Sequence, residues 1–181
     1  MLALQEANPI TVVKFIKKYG FERNTKRFQH VFWAFGPCIA GFVHCRPVIS
    51  IDGTHLYGKY QGKLLIAIAQ DANNEIYPFA FAIVENEFES TWKWFLCLIK
   101  LHVTQREGIC IISDRHGGIR AAIMDENVPD WRSPNGHWRI CLRHVASNFL
   151  QCYKDQNLKN MIIRAGSANQ KRKFNTIMDC I

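Results

Sequence analysis

Hydrophobic positions follow two different spacings along the chain, and the change falls near residue 46. In the first part, apolar side chains recur every three or four residues, which is the spacing of one helix face. These positions are Ile10, Val13 and Ile16, followed by Phe28, Val31, Phe32 and Phe35. The pattern predicts a helix over 8–20 and a second helix from 28 to the Gly36-Pro37 pair. Residues 1–45 are therefore expected to form a short helical lead-in.

Beyond residue 46 the apolar residues form short runs bounded by turn residues, which is typical of buried strands. The predicted strands cover 47–52, 63–70, 76–84, 109–113 and 138–142. Helical spacing returns between and after them, at 88–103, 118–124, 144–153 and in the basic stretch 154–181. We expect a core domain over 46–153, and in 154–181 the start of a truncated helical insertion or C-terminal segment.

The predicted elements occur in the order three strands, helix, strand, helix, strand, helix. Strands joined by hairpins and then alternating with helices form a mixed sheet with helices on its faces. The expected fold is therefore α/β, with a five-stranded mixed sheet and flanking helices. It resembles the ribonuclease H-like plan, in which the first and fourth strands lie side by side in the centre of the sheet.

Two of the predicted strands end in an aspartate. Asp52 follows the run 48–51, and Asp114 follows the run 109–113, 62 positions later in the chain. A carboxylate at the end of a buried strand is costly unless it is paired, and two neighbouring carboxylates repel each other. A divalent cation between them removes both costs, and oxygen ligands suit Mg²⁺ or Mn²⁺. The alternative is that Asp52 starts a turn and Asp114 caps the following helix.

The composition narrows the possible partners. The formal net charge of +8 and the pI near 9.2 favour a polyanion such as nucleic acid, or else reflect an ordinary basic surface. The run Lys171, Arg172 and Lys173 is the candidate DNA contact, and its alternative is a solvated helix face. No apolar run approaches the ~20 residues of a membrane span, so a membrane partner is not expected. Seven cysteines without regular spacing favour a reducing compartment.

Four stretches carry a family resemblance: ISIDGTHLYGKYQGKLLIAIAQDANNEIYPFAFAIVENE, STWKWFL, IISDRHGGI and CLRHVASNF. They contain, in order, an Asp-Gly-Thr strand, a Ser-Asp strand and a Cys-x-x-His motif. In this order and spacing they resemble the Mutator-like element (MULE) transposase domain of plants, of the MuDR type. The similarity runs from about Phe28 to Phe149 and is weaker beyond.

The resemblance implies a DDE-type transposase with a ribonuclease H-like core, which moves DNA by cut-and-paste chemistry with two divalent ions, Mg²⁺ or Mn²⁺. Asp52 matches the first acid of the family and Asp114 the second. Cys141 and His144 match its Cys-x-x-His motif. The implied partner is the DNA of transposon ends, and the implied location is the nucleus. No small-molecule substrate is implied, and homo-oligomerisation stays open.

The chain departs from the family at the third acid, which is a glutamate beyond the Cys-x-x-His motif. No glutamate occurs from 127 to 181, and the carboxylates after the motif are Asp155 and Asp179. We therefore expect a truncated or inactive transposase copy, and whether the chain is an enzyme stays open. The alternative is a domesticated DNA-binding module that regulates transcription without catalysis. A ribonuclease H-type nuclease, which needs a larger set of acids, is a third possibility.

Cys141 and His144 also raise the question of zinc. Zinc takes about four donors, and the motif supplies two. His137, or His44 with Cys45, would have to complete the set, but two adjacent residues are badly placed to bind one ion. Zinc is therefore not expected. Cys141 is expected to pack in the core, and His144 to lie at a helix start or approach the acidic site.

Overall fold

The computed structural model describes residues 2–19, 26–59 and 61–181, and the chain divides into two compact units, 1–139 and 140–181. Within these residues, seven strands form one mixed sheet: β1 Val12–Tyr19, β2 Lys26–Ala34, β3 Val48–Leu56, β4 Gly62–Gln70, β5 Ile76–Val84, β6 Ile109–Ser113 and β7 Gly136–Ile140. Their order across the sheet is β1-β2-β5-β4-β3-β6-β7. β3 and β6 are parallel, whereas β1–β2, β2–β5, β4–β5 and β3–β4 are antiparallel. The predicted number of five strands is wrong, but the α/β class and the adjacency of the first and fourth predicted strands are confirmed.

The helices of the described part lie between and after these strands. They are α1 Leu2–Ala7, α2 Gly36–Gly41, α3 Glu89–His102, α4 Gly117–Met124, α5 Leu142–Tyr153, α6 Gln156–Gly166 and α7 Lys171–Met178, with short 3₁₀ turns at Phe42–His44 and Pro129–Trp131. None of these helices has the length and apolar character needed to cross a bilayer. The arrangement is consistent with the ribonuclease H-like plan, extended by β1 and β2.

The helix predicted over 8–20 is wrong, because β1 occupies most of that segment. Val12, Val13 and Ile16 are β-branched, and their stiff side chains favour an extended backbone. β1 is also paired with β2 along its whole length, so tertiary pairing decides between two conformations that the apolar spacing allows. The helix stop predicted at Gly20 lies outside the described residues.

The second predicted helix is wrong as well, because this segment forms β2. β2 lies between β1 and β5, and it buries Val31, Phe32 and Ala34. A strand buried on both faces is apolar at nearly every position. Such a run also has apolar residues three and four positions apart, so its spacing cannot be told from that of a helix face. Pro37 does not end a helix but lies in the first turn of α2, where its missing N–H is not needed. The domain boundaries predicted after residues 45 and 153 stay a prediction.

The hairpin between β4 and β5 follows the expected turn chemistry. Asp71 Oδ1 accepts hydrogen bonds from the backbone N–H groups of Asn73 and Glu75, at 2.8 and 2.9 Å. Asn74 adopts the left-handed conformation, with φ of 68°. Pro78 favours an edge position or a bulge, because proline has no N–H to donate to a neighbouring strand. The pairing register of β4 and β5 shifts between the pairs Ala67–Ala80 and Ile68–Pro78, so the bulge is the alternative that the structure has.

One face of the central strands carries the core of the first unit. Ile49 and Ile51 of β3 are at most 2% exposed and belong to the same apolar cluster as alternate residues of β4 and β5. α3 and α4 add Trp92, Phe95, Leu96, Ile99, Ile119, Ala122 and Ile123 to this cluster. Because side chains alternate along a strand, Ser50 and Asp52 of β3 lie on the opposite face.

The second unit consists of α5, α6 and α7 together with the residues that join them. α5 ends at Lys154, which has a left-handed φ of 56°. Asp155 then caps α6, because its Oδ1 accepts the N–H groups of Asn157 and Leu158 at 2.7 and 3.1 Å. The predicted helical character of residues 154–181 is confirmed.

Candidate functional site

The parallel pairing of β3 and β6 determines where the two predicted acids lie. The paired residues are Val48 and Cys110, Ile49 and Ile111, and Ser50 and Ile112, a constant offset of 62 positions. Continued by two residues, this offset sets Asp52 opposite Asp114. Neighbouring strands are about 4.8 Å apart, and opposite residues of a parallel pair share a face. By this register the two aspartates are aligned just beyond the paired segment of β3 and β6, two residues after its last pair.

Asp52 does not end its strand, contrary to the sequence-based expectation. β3 continues because β4 pairs with it as far as Leu56, which lies opposite Gly62. β6, in contrast, pairs with β3 only as far as Ser50. Asp52 is half-buried, and its Oδ1 accepts the N–H of Gly53 at 3.0 Å. It thus lies where β6 leaves the sheet while the hairpin with β4 continues.

Asp114 directly follows β6 and is half-buried. Its Oδ1 accepts the backbone N–H of His116 at 3.0 Å. The side chain that caps α4 belongs to His116, whose Nδ1 accepts the N–H of Gly118 at 3.2 Å. The alternative that Asp114 itself caps the helix is therefore wrong, because Asp114 shapes the turn that precedes the cap.

The second glycine after Asp114, Gly118, allows α4 to begin very close to the start of α3. A Cβ atom on Gly118 would lie 2.8 Å from the carbonyl oxygen of Glu87 and 3.2 Å from the backbone nitrogen of Glu89. Both of these atoms are backbone atoms, which cannot move aside as a side chain can. A side chain at position 118 would therefore push the turn that carries Asp114 away from the start of α3.

A carboxylate that the sequence analysis missed, that of Glu87, lies against β3 at Gly53, on the face opposite Asp52. Glu87 follows β5, and β5 runs in the same direction as β3 because both are antiparallel to β4. A Cβ atom on Gly53 would lie 2.6 Å from the carboxylate carbon of Glu87. With the 3.0 Å hydrogen bond at Asp52 and standard backbone geometry, the carboxylates of Asp52 and Glu87 lie within about 8 Å of each other. The signal was present in the predicted strand directions, which bring the ends of the first, third and fourth strands to one edge.

Glu87 is paired with Lys63 of the neighbouring strand β4. Lys63 Nζ lies 2.9 Å from Glu87 Oε1, and the two side chains are only 17% and 12% exposed. The same ammonium donates a hydrogen bond to His55 Nε2 at 2.7 Å, which requires an imidazole that is unprotonated at this nitrogen. Lys63 therefore neutralises the mostly buried carboxylate of Glu87.

The remaining predicted residues lie in the second unit. Cys141 occupies the N-cap position of α5 without a side-chain capping bond, and it is half-buried rather than fully packed in a core. His144 lies in the first turn of α5, at the helix start as expected. Lys171, Arg172 and Lys173 are exposed in the first turn of α7. The roles expected of these residues stay predictions.

The donor chemistry of Asp52 and Asp114 fits a divalent cation. Within 2–19, 26–59 and 61–181, no three His, Cys, Asp or Glu side chains are grouped so that they could hold a metal ion. Mg²⁺, however, is commonly bound through one or two carboxylates, with water and substrate phosphates as its other ligands. Two adjacent aspartates suffice for that mode of binding. Residues of this chain would supply only part of the coordination shell.

Comparison with known proteins extends this interpretation. No curated protein matches the chain. The family model of the MULE transposase domain matches residues 48–148, more than half of the chain, and the matched region includes Asp52, Asp114, Cys141 and His144. Such a domain implies a transposase-related function, DNA as a partner in general and usually divalent metal ions. The chain is therefore a member of the MULE transposase domain family.

Proposed function

We propose that this domain is the core of a DDE-type DNA transposase, with Asp52 and Asp114 as its first two metal-binding acids. The observation that supports the proposal is the parallel pairing of β3 and β6 at an offset of 62 positions, which equals the separation of Asp52 and Asp114 in the sequence. By the motifs it carries, the chain derives from the plant, MuDR-type branch of the family. Its partner is then the DNA of transposon ends, and its location is the nucleus.

The two aspartates are suited to this role because the backbone holds them in place. β4 pairing fixes Asp52, and the N–H of His116 orients the carboxylate of Asp114. Their mutual repulsion favours a shared cation. Mg²⁺ or Mn²⁺ bound there would activate a water or hydroxyl and stabilise the leaving oxygen in phosphodiester cleavage.

We propose further that this chain cleaves little DNA by itself. No glutamate occurs from 127 to 181. Of the two carboxylates after the Cys-x-x-His motif, Asp155 is engaged as the N-cap of α6, and Asp179 is the C-cap residue of α7. Two aspartates alone would hold one of two metal ions loosely. The capping role of Asp155 favours the second candidate function, a domesticated DNA-binding module that regulates transcription without catalysis.

The position of Lys171, Arg172 and Lys173 supports their proposed contact with DNA. The N-terminus of a helix carries a partial positive charge, so three cations in the first turn of α7 destabilise it. A phosphate backbone beside them would relieve this repulsion. Replacing all three with Gln should make binding less dependent on salt, by about 0.9 in the slope of log K against log salt for each phosphate that is no longer neutralised.

Titration calorimetry with Mn²⁺ tests the metal site. The wild type should bind with a dissociation constant on the order of millimolar, because few protein ligands are in place. Asp52→Asn combined with Asp114→Asn should abolish this binding. Glu107→Gln is the matched control, since Glu107 is exposed at the opposite end of β6. Equal Mn²⁺ affinity in the wild type and the double variant would reject the proposed site.

A nicking assay on supercoiled plasmid with Mn²⁺ separates the two candidate functions. We expect the chain to bind the plasmid at low salt and to leave it uncut above background. Strong nicking that Asp52→Ala abolishes would establish an active enzyme, and it would show that another residue supplies the third ligand. Binding without nicking supports the module without catalysis.

A further inference from the structure

The hydroxyl of Ser113, the residue directly before Asp114, joins two hydrogen bonds in the interior of the first unit. Ser113 is only 1% exposed. Its Oγ donates to the backbone carbonyl oxygen of Asp114 at 2.8 Å and accepts the indole N–H of Trp138 at 2.9 Å. Because an indole N–H can only donate, Ser113 must accept from Trp138, and its single hydrogen is left for Asp114. The two bonds together set the orientation of the hydroxyl.

Trp138, which orients this hydroxyl, is itself fixed by its surroundings. It is the central residue of β7, and it packs against the apolar cluster of the first unit. The chain before it is held by two backbone hydrogen bonds, from the N–H of Gly108 to Asn135 O at 2.7 Å and from the N–H of Gly136 to Arg132 O at 2.8 Å. The indole N–H is therefore offered to Ser113 from a fixed position.

Asp114 depends on such support because it lies beyond the last residue pair of β3 and β6, which joins Ser50 and Ile112. Two hydrogen bonds act on Asp114 itself. The N–H of His116 binds its carboxylate at 3.0 Å, and the hydroxyl of Ser113 binds its carbonyl oxygen. The first bond orients the side chain, and the second orients the peptide group that follows it.

A hydroxyl is an unusual choice for this position of β6. Ile109 and Ile111 lie on the same face of the strand as Ser113, and both are at most 1% exposed. An apolar side chain at position 113 would continue this face without burying a polar group, whereas a buried hydroxyl and a buried indole N–H must find partners. The polar pair therefore lies in an apolar layer, one residue away from the acid.

We propose that Ser113 and Trp138 are positioning residues of the acidic site, which hold the backbone at Asp114 so that its carboxylate has one orientation before a divalent cation binds. Without the hydroxyl, the cation would have to order this residue at the expense of its own affinity. Partners that orient metal ligands typically contribute roughly 10- to 100-fold to metal affinity. Ser113 acts through the backbone, so we expect the low end of this range. The inference rests on the proposed function, because it assumes that Asp114 binds the cation.

Electron paramagnetic resonance of Mn²⁺ measures this effect, because the sharp spectrum of the free ion weakens when the ion binds. Ser113→Ala should raise the Mn²⁺ dissociation constant about tenfold. Adding Trp138→Phe should restore part of the resistance to urea, since no indole N–H is then left without an acceptor. It should nevertheless leave the dissociation constant high. A purely structural role would move both quantities together. The double variant also carries the comparison if Ser113→Ala alone does not fold.

Thr11→Ala is the matched control. Thr11 is 2% exposed, and its hydroxyl also binds the backbone, since it accepts the N–H of Gly36 at 3.0 Å. Three strands separate β3 from β1, which begins directly after Thr11. This variant should lose stability and still bind Mn²⁺ as the wild type does.

Failure of this inference is distinguishable from failure of the proposed function. If Ser113→Ala binds Mn²⁺ as the wild type does, while Asp52→Asn with Asp114→Asn abolishes binding, the inference is wrong and the proposed metal site stands. If the dissociation constant recovers together with stability in the double variant of Ser113 and Trp138, the pair serves the fold alone. If the wild type binds Mn²⁺ no better than the double aspartate variant, both the inference and the proposed metal site are wrong.

Discussion

Gly53→Ala tests whether the contact between β3 and Glu87 is as tight as the structure indicates. The added Cβ would lie 2.6 Å from both Cδ and Oε2 of Glu87 and 2.8 Å from its Oε1. Ordinary van der Waals contact begins near 3.4 Å, so the carboxylate would have to retreat by about 1 Å. Because Glu87 is the flexible partner, the backbone of β3 can stay in place while the carboxylate moves.

The cost of this substitution lies in the ion pair that the movement disturbs. Lys63 Nζ and Glu87 Oε1 are 2.9 Å apart, and both side chains are more than four-fifths buried. Lengthening the pair by about 1 Å leaves two mostly buried charges poorly compensated. Local overpacking of this kind costs about 1–3 kcal/mol. We therefore expect Gly53→Ala to lower the free energy of unfolding by about 2 kcal/mol. This value lies between the cost of breaking an exposed ion pair and that of breaking a fully buried one.

Urea unfolding followed by tryptophan fluorescence measures this loss, because Trp92 and Trp131 are fully buried in the first unit. In a Glu87→Ala background, Gly53→Ala should cost far less, so a double-mutant cycle should give a coupling of at least about 1 kcal/mol. Gly117→Ala is the control: a Cβ there meets nothing within 4 Å, and Ala suits the helix start better than Gly. The reasoning is refuted if Gly53→Ala costs the same with and without the Glu87 side chain.

Two further substitutions probe the surroundings of the site. The carboxyl of Asp125 has a pKa below its usual value of 3.8, first because of its hydrogen bond with Lys93 and then because of the N–H of Asn127. The stability that these hydrogen bonds provide is fully present above the pKa that the carboxyl has in the unfolded chain. It is lost as the pH falls through the lower pKa of the same carboxyl in the folded protein. With Asp125→Asn, the urea midpoint should therefore fall less steeply below about pH 4 than it does in the wild type. An unchanged pH dependence of the midpoint in this range would contradict the explanation. Ser113→Ala should cost about 1–3 kcal/mol, because Trp138 Nε1 donates to Ser113 Oγ at 2.9 Å and would be left without an acceptor. Trp138→Phe in that background should recover part of the loss in thermal unfolding, and a further loss would rule out this explanation.

Local sequence was sufficient for the elements whose signals are short-range. β4, β5, β6 and α3 lie within one or two residues of their predicted positions, because apolar periodicity and turn chemistry act over a few residues. The Asp71 turn belongs to the same group, and so does the irregularity at Pro78, for which the sequence left an edge position or a bulge open. The motif order also identified the family that the match over residues 48–148 confirms.

β2 could not be predicted from the sequence, because its pairing partner β5 is distant in the chain. A strand buried on both faces loses the alternation of polar and apolar residues, and its spacing then resembles that of a helix. Phe28, which the helical spacing grouped on one face with Val31 and Phe32, is 48% exposed, whereas those two are buried. Only the pairing of β2 with β5, some 50 residues away, selects the extended conformation.

Part of the candidate site could likewise be predicted from the sequence, and part of it depends on the tertiary structure. The residue types and the 62-position separation of Asp52 and Asp114 are properties of the sequence, and they already favoured a metal site. Their alignment depends on the register of β3 and β6, and the extension of β3 past Asp52 depends on pairing with β4. The approach of Glu87 to Gly53 depends on the order of three strands in the sheet. Sequence determines the chemistry that each side chain can perform, whereas strand order and register determine which side chains meet, because backbone pairing joins segments that are far apart in the chain.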